Sequence, residues 1–317
     1  MRTLIIPIIL NLAVITAGCV TSSPQTSQVG VYYTGKTQNF DSVLQEITIR
    51  NSTIEKHPAW LVQARQDFML KKLEEVPQSD YQRYAEYLDE GVLYIIVHPA
   101  YSVFFNDREP FDSPENPVDA FLDETSFTRE KRFLQEQERS LRDFLEITST
   151  RKRLVVLVMP GNYREYQGFV YRDLPDEYAR YVNSVTNSSE SVLYLYSERP
   201  NRGNLSDASR KKLLAFIRSV NPKTVVMGGG YLGRCVEDTY RQLSASLDGR
   251  EITVAAEITA ISREDLKNLS VGDFLRDGKL DVAMLKEVIN SSNMKGGSLR
   301  DFLRNYRNYR VQKRAND

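Results

Sequence analysis

The chain contains few of the side chains from which metal sites and disulfides are built. Among its 317 residues are two cysteines, Cys19 and Cys235, and two histidines, His57 and His98. Two histidines cannot form a multi-histidine zinc site within one chain, so we expect no metal. Its charges also balance, because 42 basic residues stand against 42 acidic ones. Without an excess of positive charge, the sequence predicts no surface for nucleic acid.

The first 19 residues combine a short apolar run with a cysteine. Arg2 precedes an apolar run over residues 4–15. That run is too short to span a bilayer, and it favours a signal peptide over residues 1–18. Residues 16–19 (TAGC) resemble a bacterial lipobox, which implies that Cys19 becomes the lipidated, palmitate-bearing first residue of the mature protein. The alternative is a secreted protein that is cleaved elsewhere.

A lipid on Cys19 has consequences for location and for thiol chemistry. The residue after the cysteine is Val20 and not an aspartate, which would indicate a different membrane. If the organism is Gram-negative, we therefore expect an outer-membrane protein that faces the periplasm. Cys235 is then the one free thiol, and no intrachain disulfide can form. Residues 19–38 are polar and small, as in a flexible tether.

The rest of the chain divides into three predicted parts. Residues 39–91 form a helical extension, because apolar residues between Leu61 and Val76 recur at helical spacing and are followed by Tyr81, Tyr84 and Leu88. Residues 92–261 form an α/β domain. Residues 262–317 form a second helical extension, with helices over 281–289 and 299–310. We expect both extensions to pack against the central domain, and the last helix, which is basic, could alternatively contact lipid headgroups.

The central part alternates between continuous apolar runs and amphipathic segments. The runs predict buried strands over residues 92–97, 154–159, 192–196, 224–227 and 252–256. The amphipathic segments predict helices over residues 128–147, 175–185, 206–220 and 235–247. Alternation of this kind predicts a doubly wound, mostly parallel sheet, which binds ligands beyond the carboxyl ends of its strands. Several polar or glycine-rich positions at those ends should therefore converge on one crevice: His98, Pro160, 197–202, 228–235 and Glu257.

Residues 223–243 bring three glycines and a cysteine between a strand and a helix. We expect Gly228, Gly229 and Gly230 to form a tight turn that lets a ligand approach the backbone. Cys235 opens the helix, where free N–H groups and the helix dipole favour a thiolate, so its pKa should be lowered. The alternative is that Cys235 is a small buried residue. The glycine spacing fits neither a dinucleotide fingerprint nor a P-loop, and no cofactor is expected.

Four residues of this stretch support a family resemblance. Gly229, Cys235, Val236 and Thr239 form the pattern G-x5-C-V-x-x-T after an apolar strand. The pattern resembles the nucleophile segment of the isochorismatase-like cysteine hydrolases, which include nicotinamidases, and the resemblance covers about residues 92–261. It implies a nucleophilic cysteine, an aspartate at the end of the first strand and a lysine at the end of the third. It also implies oxyanion-binding N–H groups near a cis peptide.

Two of the three implied catalytic identities are missing. His98 stands where the family has its aspartate, and an imidazole could accept the thiol proton or simply cap the strand. The lysine position falls within residues 197–202, where Arg199 or Arg202 could supply a fixed charge. Glu198 could equally be a relocated acid. The resemblance places the oxyanion donors at the N–H groups of Tyr231 and Cys235. Their positions at strand ends predict that Glu198, Gly229, Gly230 and Glu257 lie beside the pocket.

The sequence leaves two functions open. One is a pseudoenzyme, in which the α/β domain has lost hydrolysis and binds a small molecule or an envelope partner. The other is a cysteine hydrolase of a small amide or related carbonyl compound, with Cys235 as nucleophile and His98 as base. An oligomer is compatible with either function. In both, Thr239 should face the sheet and pack or bond internally.

Overall fold

Most of the described residues belong to one six-stranded parallel sheet with helices around it. The computed structural model describes residues 68–105, 122, 129–165, 175–247, 250–261, 274–281 and 283–284. The strands are β1 (Lys71–Lys72), β2 (Val92–Val97), β3 (Val155–Met159), β4 (Val192–Tyr196), β5 (Thr224–Tyr231) and β6 (Glu251–Ala260). They lie in the order β1-β4-β3-β2-β5-β6, and every neighbouring pair is parallel.

Helices connect the successive strands. The α-helices are α1 (Tyr101–Phe104), α2 (Arg129–Thr150), α3 (Pro175–Val185), α4 (Asp207–Val220) and α5 (Cys235–Ser244). Short 3-10 helices cover Leu73–Glu75, Gln78–Tyr87 and Tyr163–Glu165, and a small hairpin pairs β7 (Leu275–Arg276) with β8 (Lys279–Leu280). None of these described helices is long and apolar enough to cross a membrane.

The sheet is doubly wound. Helices α2 and α3 pack against each other, and so do α4 and α5. The strand order runs from β2 through β3 to β4 in one direction, and through β5 to β6 in the other. Since parallel crossovers are right-handed, this reversal puts the two helix pairs on opposite faces of the sheet. The predicted Rossmann-like α/β fold is confirmed, and the reversal creates a switch point between the carboxyl ends of β2 and β5.

The apolar runs are strands because both faces of the sheet are covered. All residues of β2 and β3 are buried. A strand with helices on each side has no polar face, which explains why these segments show no alternation of polar and apolar residues. Helix α4 begins after Ser206, whose hydroxyl accepts a hydrogen bond from the Ser209 N–H at 3.1 Å. Such a cap satisfies one of the free donors at a helix start.

The predicted helix between Leu61 and Val76 is wrong for its described part. Lys71–Lys72 forms the edge strand β1, which pairs with β4, and Leu73–Glu75 is a 3-10 helix. Val76 precedes Pro77 and is extended, with φ −76° and ψ 121°. A residue before proline is disfavoured in the helical region, so the periodic pattern could not continue as an α-helix. The Tyr81 and Tyr84 repeat lies in the 3-10 helix Gln78–Tyr87, which packs on α4.

The glycines after Met227 extend a strand, and the predicted turn there is wrong. β5 continues through Gly228–Gly230 to Tyr231, and the turn follows at residues 232–234. Gly229 has φ +101°, and a Cβ built on it would lie 2.2 Å from the Val97 carbonyl oxygen. Only glycine lets β5 run this close to β2. The pairing of β5 with β6 is irregular at the same place.

Several predictions concern other parts of the chain. The signal peptide, the lipidation of Cys19 and the tether fall outside the described residues, as do residues 39–67 of the N-terminal extension. The predicted helix over 299–310 and nearly all of that over 281–289 also lie there.

Candidate functional site

His98 lies at the end of β2, directly at the switch point. Its backbone has φ 49°, and its N–H donates to the Val158 carbonyl at 2.8 Å. A left-handed conformation is uncommon outside glycine, and here it ends the strand abruptly. The side chain is completely buried. Its ring stacks on Tyr101 with centroids 5.5 Å apart.

The Ser197 hydroxyl links three strand ends. It lies 3.0 Å from His98 Nε2 and accepts a hydrogen bond from the Gly161 N–H at 3.1 Å. It also lies 2.7 Å from the Arg199 carbonyl oxygen. The sequence predicted only that residues 197–202 lie at the carboxyl edge of the sheet, and it indicated no particular role for Ser197. It joins the ends of β2, β3 and β4 through one oxygen atom.

These contacts define which nitrogen of His98 carries the proton. A hydroxyl has one hydrogen, and the short contact to the Arg199 carbonyl requires it, because two bare oxygen atoms would repel each other. Ser197 must therefore accept from His98, so Nε2 carries the hydrogen and Nδ1 has only a lone pair. Burial lowers the pKa of His98 to about 3, and the ring is neutral at physiological pH. Among the described residues Nδ1 has no hydrogen-bond partner.

His98 and Ser197 do not form a nucleophile and base pair. A base would present a bare nitrogen to the hydroxyl, whereas here Nε2 donates to it. No described carboxylate bonds to Nδ1 to reverse that arrangement. The pair therefore holds the loop after β4 in place.

The Cys235 thiol is buried, and the prediction that its pKa is lowered is wrong. The side chain is 2% exposed, and Sγ lies 3.9 Å from the Tyr231 carbonyl oxygen. Burial raises its pKa to about 12, with a further contribution from Asp238, although nearby backbone groups oppose this. The helix N-terminus does favour a thiolate, but the free-energy cost of removing a thiolate from water exceeds the stabilisation that the helix dipole provides.

Cys235 and His98 are neighbours without a hydrogen bond between them. A Cβ built on Gly230 would lie 2.6 Å from Cys235 Sγ and 3.4 Å from His98 Cβ. Both atoms therefore lie close to the point where a side chain at Gly230 would begin. However, the thiol faces the Tyr231 carbonyl while the His98 ring bonds to Ser197. The predicted role of His98 as the base for Cys235 is not met by this geometry.

The charged residues after β4 lie at the protein surface. Glu198, Arg199 and Arg202 are all exposed, and Arg199 and Arg202 pair through their backbones across a tight turn. The Arg202 side chain is 51% exposed and lies 3.7 Å from Asp238. Because water solvates these groups, they are poorly placed as a charge clamp or as pocket residues.

Thr239 bonds internally, as predicted, and its hydroxyl contacts the loop after β4. It is completely buried, and its hydroxyl lies 2.7 Å from the Gly203 carbonyl oxygen and 3.1 Å from the Cys235 carbonyl oxygen. A Cβ on Gly203 would lie 1.8 Å from that second oxygen. The cysteine–threonine spacing of the motif therefore has a structural use here, which is to join α5 to the loop after β4.

The remaining predicted site residues have other positions. The carbonyl of Tyr231 faces the thiol, and the described residues contain no cis peptide bond, whereas the resemblance implies one near the oxyanion donors. Glu257 was expected beyond the end of a strand, but it is buried within β6, because that strand continues to Ala260.

A pocket opens at the switch point, on the side of α2. Its cavity volume is about 10 Å³, which is room for about one water molecule. It is lined by His98, Ala100, Tyr101, Ser102, Gln137, Glu138, Leu141, Gly229, Gly230, Ile258 and Ala260. Gly229 and Gly230 were predicted here, and His98 is also part of the lining. Cys235 is not part of the lining.

Glu138 is the functional candidate that the sequence analysis missed. Its side chain is 3% exposed, and it accepts hydrogen bonds from Tyr181 at 2.9 Å and from Ser102. Burial raises its pKa to about 7, although these two hydroxyls and Arg142 favour the ionised form. One signal was available: Glu138 follows Leu134 by four residues and precedes Leu141 by three, so it interrupts the apolar face of α2.

Gln137 closes the pocket by bonding to β6. Its amide nitrogen donates to the Thr259 carbonyl, and its amide oxygen accepts from the Ile261 N–H at 3.3 Å. Both ends of the amide are thereby used within the fold.

In the described part of the chain, no group of three or more histidine, cysteine or acidic side chains could hold a metal ion. Compared with family models, curated proteins and solved structures, the chain matches none of them.

Proposed function

We propose that this protein is a lipid-anchored envelope protein whose Rossmann-like domain does not hydrolyse amides and binds a small molecule or an envelope partner. The domain would then be a divergent, non-catalytic relative of the isochorismatase-like hydrolases. The observation that carries this proposal is the burial of the Cys235 thiol. It is protonated at neutral pH, and no base within the described residues accepts its proton.

Hydrolysis would need several changes at once. The thiol would have to lose its proton, contact a substrate and find a positive partner, but Arg199 and Arg202 are in water. The pocket at the switch point is lined by His98, Gly229 and Gly230 but not by Cys235. This separation supports binding over covalent catalysis.

Thiol reactivity tests the loss of hydrolysis. In a Cys19→Ser variant of the full chain, Cys235 is the only cysteine. We expect iodoacetamide to alkylate it at neutral pH at least about a hundredfold faster after unfolding in urea than in the folded state, because burial suppresses the thiolate. Rapid alkylation of the folded chain, with an apparent pKa well below that of a free cysteine, would contradict the proposal.

Binding is tested directly by NMR. The amide signals of Gly229 and Gly230 report on the pocket, and a set of fragments containing neutral, cationic and anionic compounds is titrated against the full chain. We expect at least one class to shift these two signals saturably. Small-molecule binding is refuted if compounds of all three charge classes leave both signals unchanged.

The anchor rests on residues 16–19. We propose that lipid on Cys19 holds the protein in the outer membrane, facing the periplasm, where an envelope partner or a second copy could also reach the domain. Palmitate labelling tests this: the unchanged chain should incorporate the label and sediment with membranes, and Cys19→Ser should do neither. Labelling that persists in the variant would exclude Cys19 as the site.

A further inference from the structure

The Tyr101 ring lies across the switch point of the sheet. It stacks on His98, which directly follows β2, with centroids 5.5 Å apart and planes inclined by 20°. It also meets Tyr231, the last residue of β5, in an edge-to-face contact at 5.5 Å. These two strands flank the point where the strand order reverses, which is where a doubly wound sheet binds its ligands. The Tyr101 ring therefore occupies the position expected for a ligand.

This ring explains why the pocket beside it is small. Tyr101 is part of the lining, together with His98, Gly229 and Gly230, and the cavity that remains has room for about one water molecule. Phe105 also stacks on the Tyr101 ring, with centroids 4.8 Å apart and planes inclined by 6°. Because stacked contacts require planar partners, the space that the ring fills is shaped for a flat aromatic group.

Tyr101 is the residue of α1 that can leave its place with the least disturbance. The other three residues of this one-turn helix, Ser102, Val103 and Phe104, are buried, whereas Tyr101 is partly exposed. Ala100 before it has φ 55° and provides no side-chain cap. A left-handed alanine is strained, and a single helical turn gains little from cooperativity. Since Tyr101 already contacts solvent, its ring can turn outward while the buried side chains of α1 stay in place.

We propose that the Tyr101 ring closes a binding site for a small aromatic compound, and that a phenol-like ring takes its place when the ligand binds. The proposal rests on small-molecule binding by the domain and adds the class of ligand and the group that it displaces. The ligand stacks on His98 and Phe105 as the tyrosine ring does. No lysine or arginine is among the residues that line the pocket, which favours an uncharged ring over an anion.

A pair of compounds tests the unchanged chain for an aromatic site. p-Cresol has the ring and hydroxyl of a tyrosine side chain, and methylcyclohexanol with the same substitution has the same skeleton without the flat ring. Both are titrated against the full chain, and NMR follows the amide signals of Gly229 and Gly230 and the ring signals of Tyr101. We expect p-cresol to shift all of these signals saturably and to bind at least about tenfold more tightly than methylcyclohexanol. Equal binding of the two compounds, or no binding of p-cresol, would overturn the aromatic site.

A variant without the ring tests displacement. In Tyr101→Ala no side chain has to leave, so p-cresol should bind at least about tenfold more tightly than to the unchanged chain. Tyr87→Ala is the matched control, because the Tyr87 carbonyl accepts from the Leu154 N–H at the opposite edge of the sheet, and it should leave the affinity unchanged. Unaltered or weaker binding to Tyr101→Ala would refute displacement. If that variant does not fold, the unchanged chain decides, because a displaced Tyr101 ring must take the chemical shifts of a tyrosine in water.

Failure of the aromatic site and failure of small-molecule binding give different results. If a fragment shifts the Gly229 and Gly230 signals while the Tyr101 ring signals stay in place, the domain binds a small molecule and only the displacement of Tyr101 is refuted. If no fragment of any charge class and neither ring compound shifts the two glycine signals, small-molecule binding itself is refuted.

Discussion

Adding a methyl group at Gly230 should destabilise the protein through the Cys235 sulfur. In Gly230→Ala, the new Cβ would lie 2.6 Å from Cys235 Sγ, closer than two such atoms can approach. Its other near contacts, 3.2 Å to the Val97 carbonyl oxygen and 3.4 Å to His98 Cβ, are tight but nearly ordinary. The sulfur is therefore the main obstacle.

The two single changes and the double change form a cycle. Overpacking of a buried site costs about 1–3 kcal/mol, and we expect Gly230→Ala to lose about 2–3 kcal/mol of unfolding free energy. Cys235→Ala removes a buried sulfur and should lose about 1 kcal/mol. In the double variant the methyl group occupies the space that the sulfur leaves. Its total loss should be smaller than the sum of the two single losses by about 1–2 kcal/mol.

Urea unfolding of the full chain, followed by circular dichroism, measures each of these free energies. Gly278→Ala provides a control for the glycine backbone, because Gly278 has φ +75° and a Cβ there meets nothing within 4 Å. It should cost about 1 kcal/mol from backbone strain alone and should add independently to Cys235→Ala. If Gly230→Ala and Cys235→Ala also add independently, the sulfur does not pack against Gly230, and its structural role is refuted.

Three further changes test the bonds around the site. Ser197→Ala leaves the Gly161 N–H and His98 Nε2 without their partner, so it should lower the unfolding free energy measured in urea by about 2–4 kcal/mol. Ser246→Ala is the control and should cost less than about 0.5 kcal/mol. Similar losses in the two variants would refute the role of Ser197. Thr239→Val removes the bond to the Gly203 carbonyl and should cost about 1–2 kcal/mol by thermal unfolding without changing ligand affinity; an unchanged melting temperature would contradict this. The pKa of Glu138 is raised from 4.5 to about 7 on folding, so its contribution is complete below about pH 4.5 and is lost as pH rises towards 7. When the unfolding free energy is measured as a function of pH, Glu138→Gln should remove this pH-dependent loss, which amounts to up to about 3 kcal/mol. Parallel pH profiles for the variant and the unchanged chain would be evidence against a raised pKa of Glu138.

The core strands could be predicted because their signal is local. The runs at Val92–Val97 and Val192–Tyr196 were placed at the observed residues. A strand that is buried on both faces must be apolar throughout, and that requirement can be read without knowing its neighbours. The helix of Pro175–Val185 was likewise predicted with its observed ends, since its period of 3.6 residues and its opening proline are local features.

The site was harder to predict because its chemistry depends on neighbours that are distant in the chain. Gly228–Gly230 can form a turn or an extended strand, and the choice is made by the Val97 backbone beside it. Similarly, the first turn of a helix favours a thiolate at Cys235, but the residues that bury the sulfur come from other elements. Only Glu138 left a local sign, as an acidic residue within an apolar helical face.

The sequence by itself therefore determined the α/β class, the doubly wound order of helices and strands, and the chemical types of side chain available at the sheet edge. Those properties follow from hydrophobic periodicity and from the right-handedness of crossovers, which act within one element or between adjacent ones. Tertiary structure decided which of the polar groups can react. The pKa of a thiol, an imidazole or a carboxyl group depends on desolvation and on the donors around it, and only the folded chain brings those together.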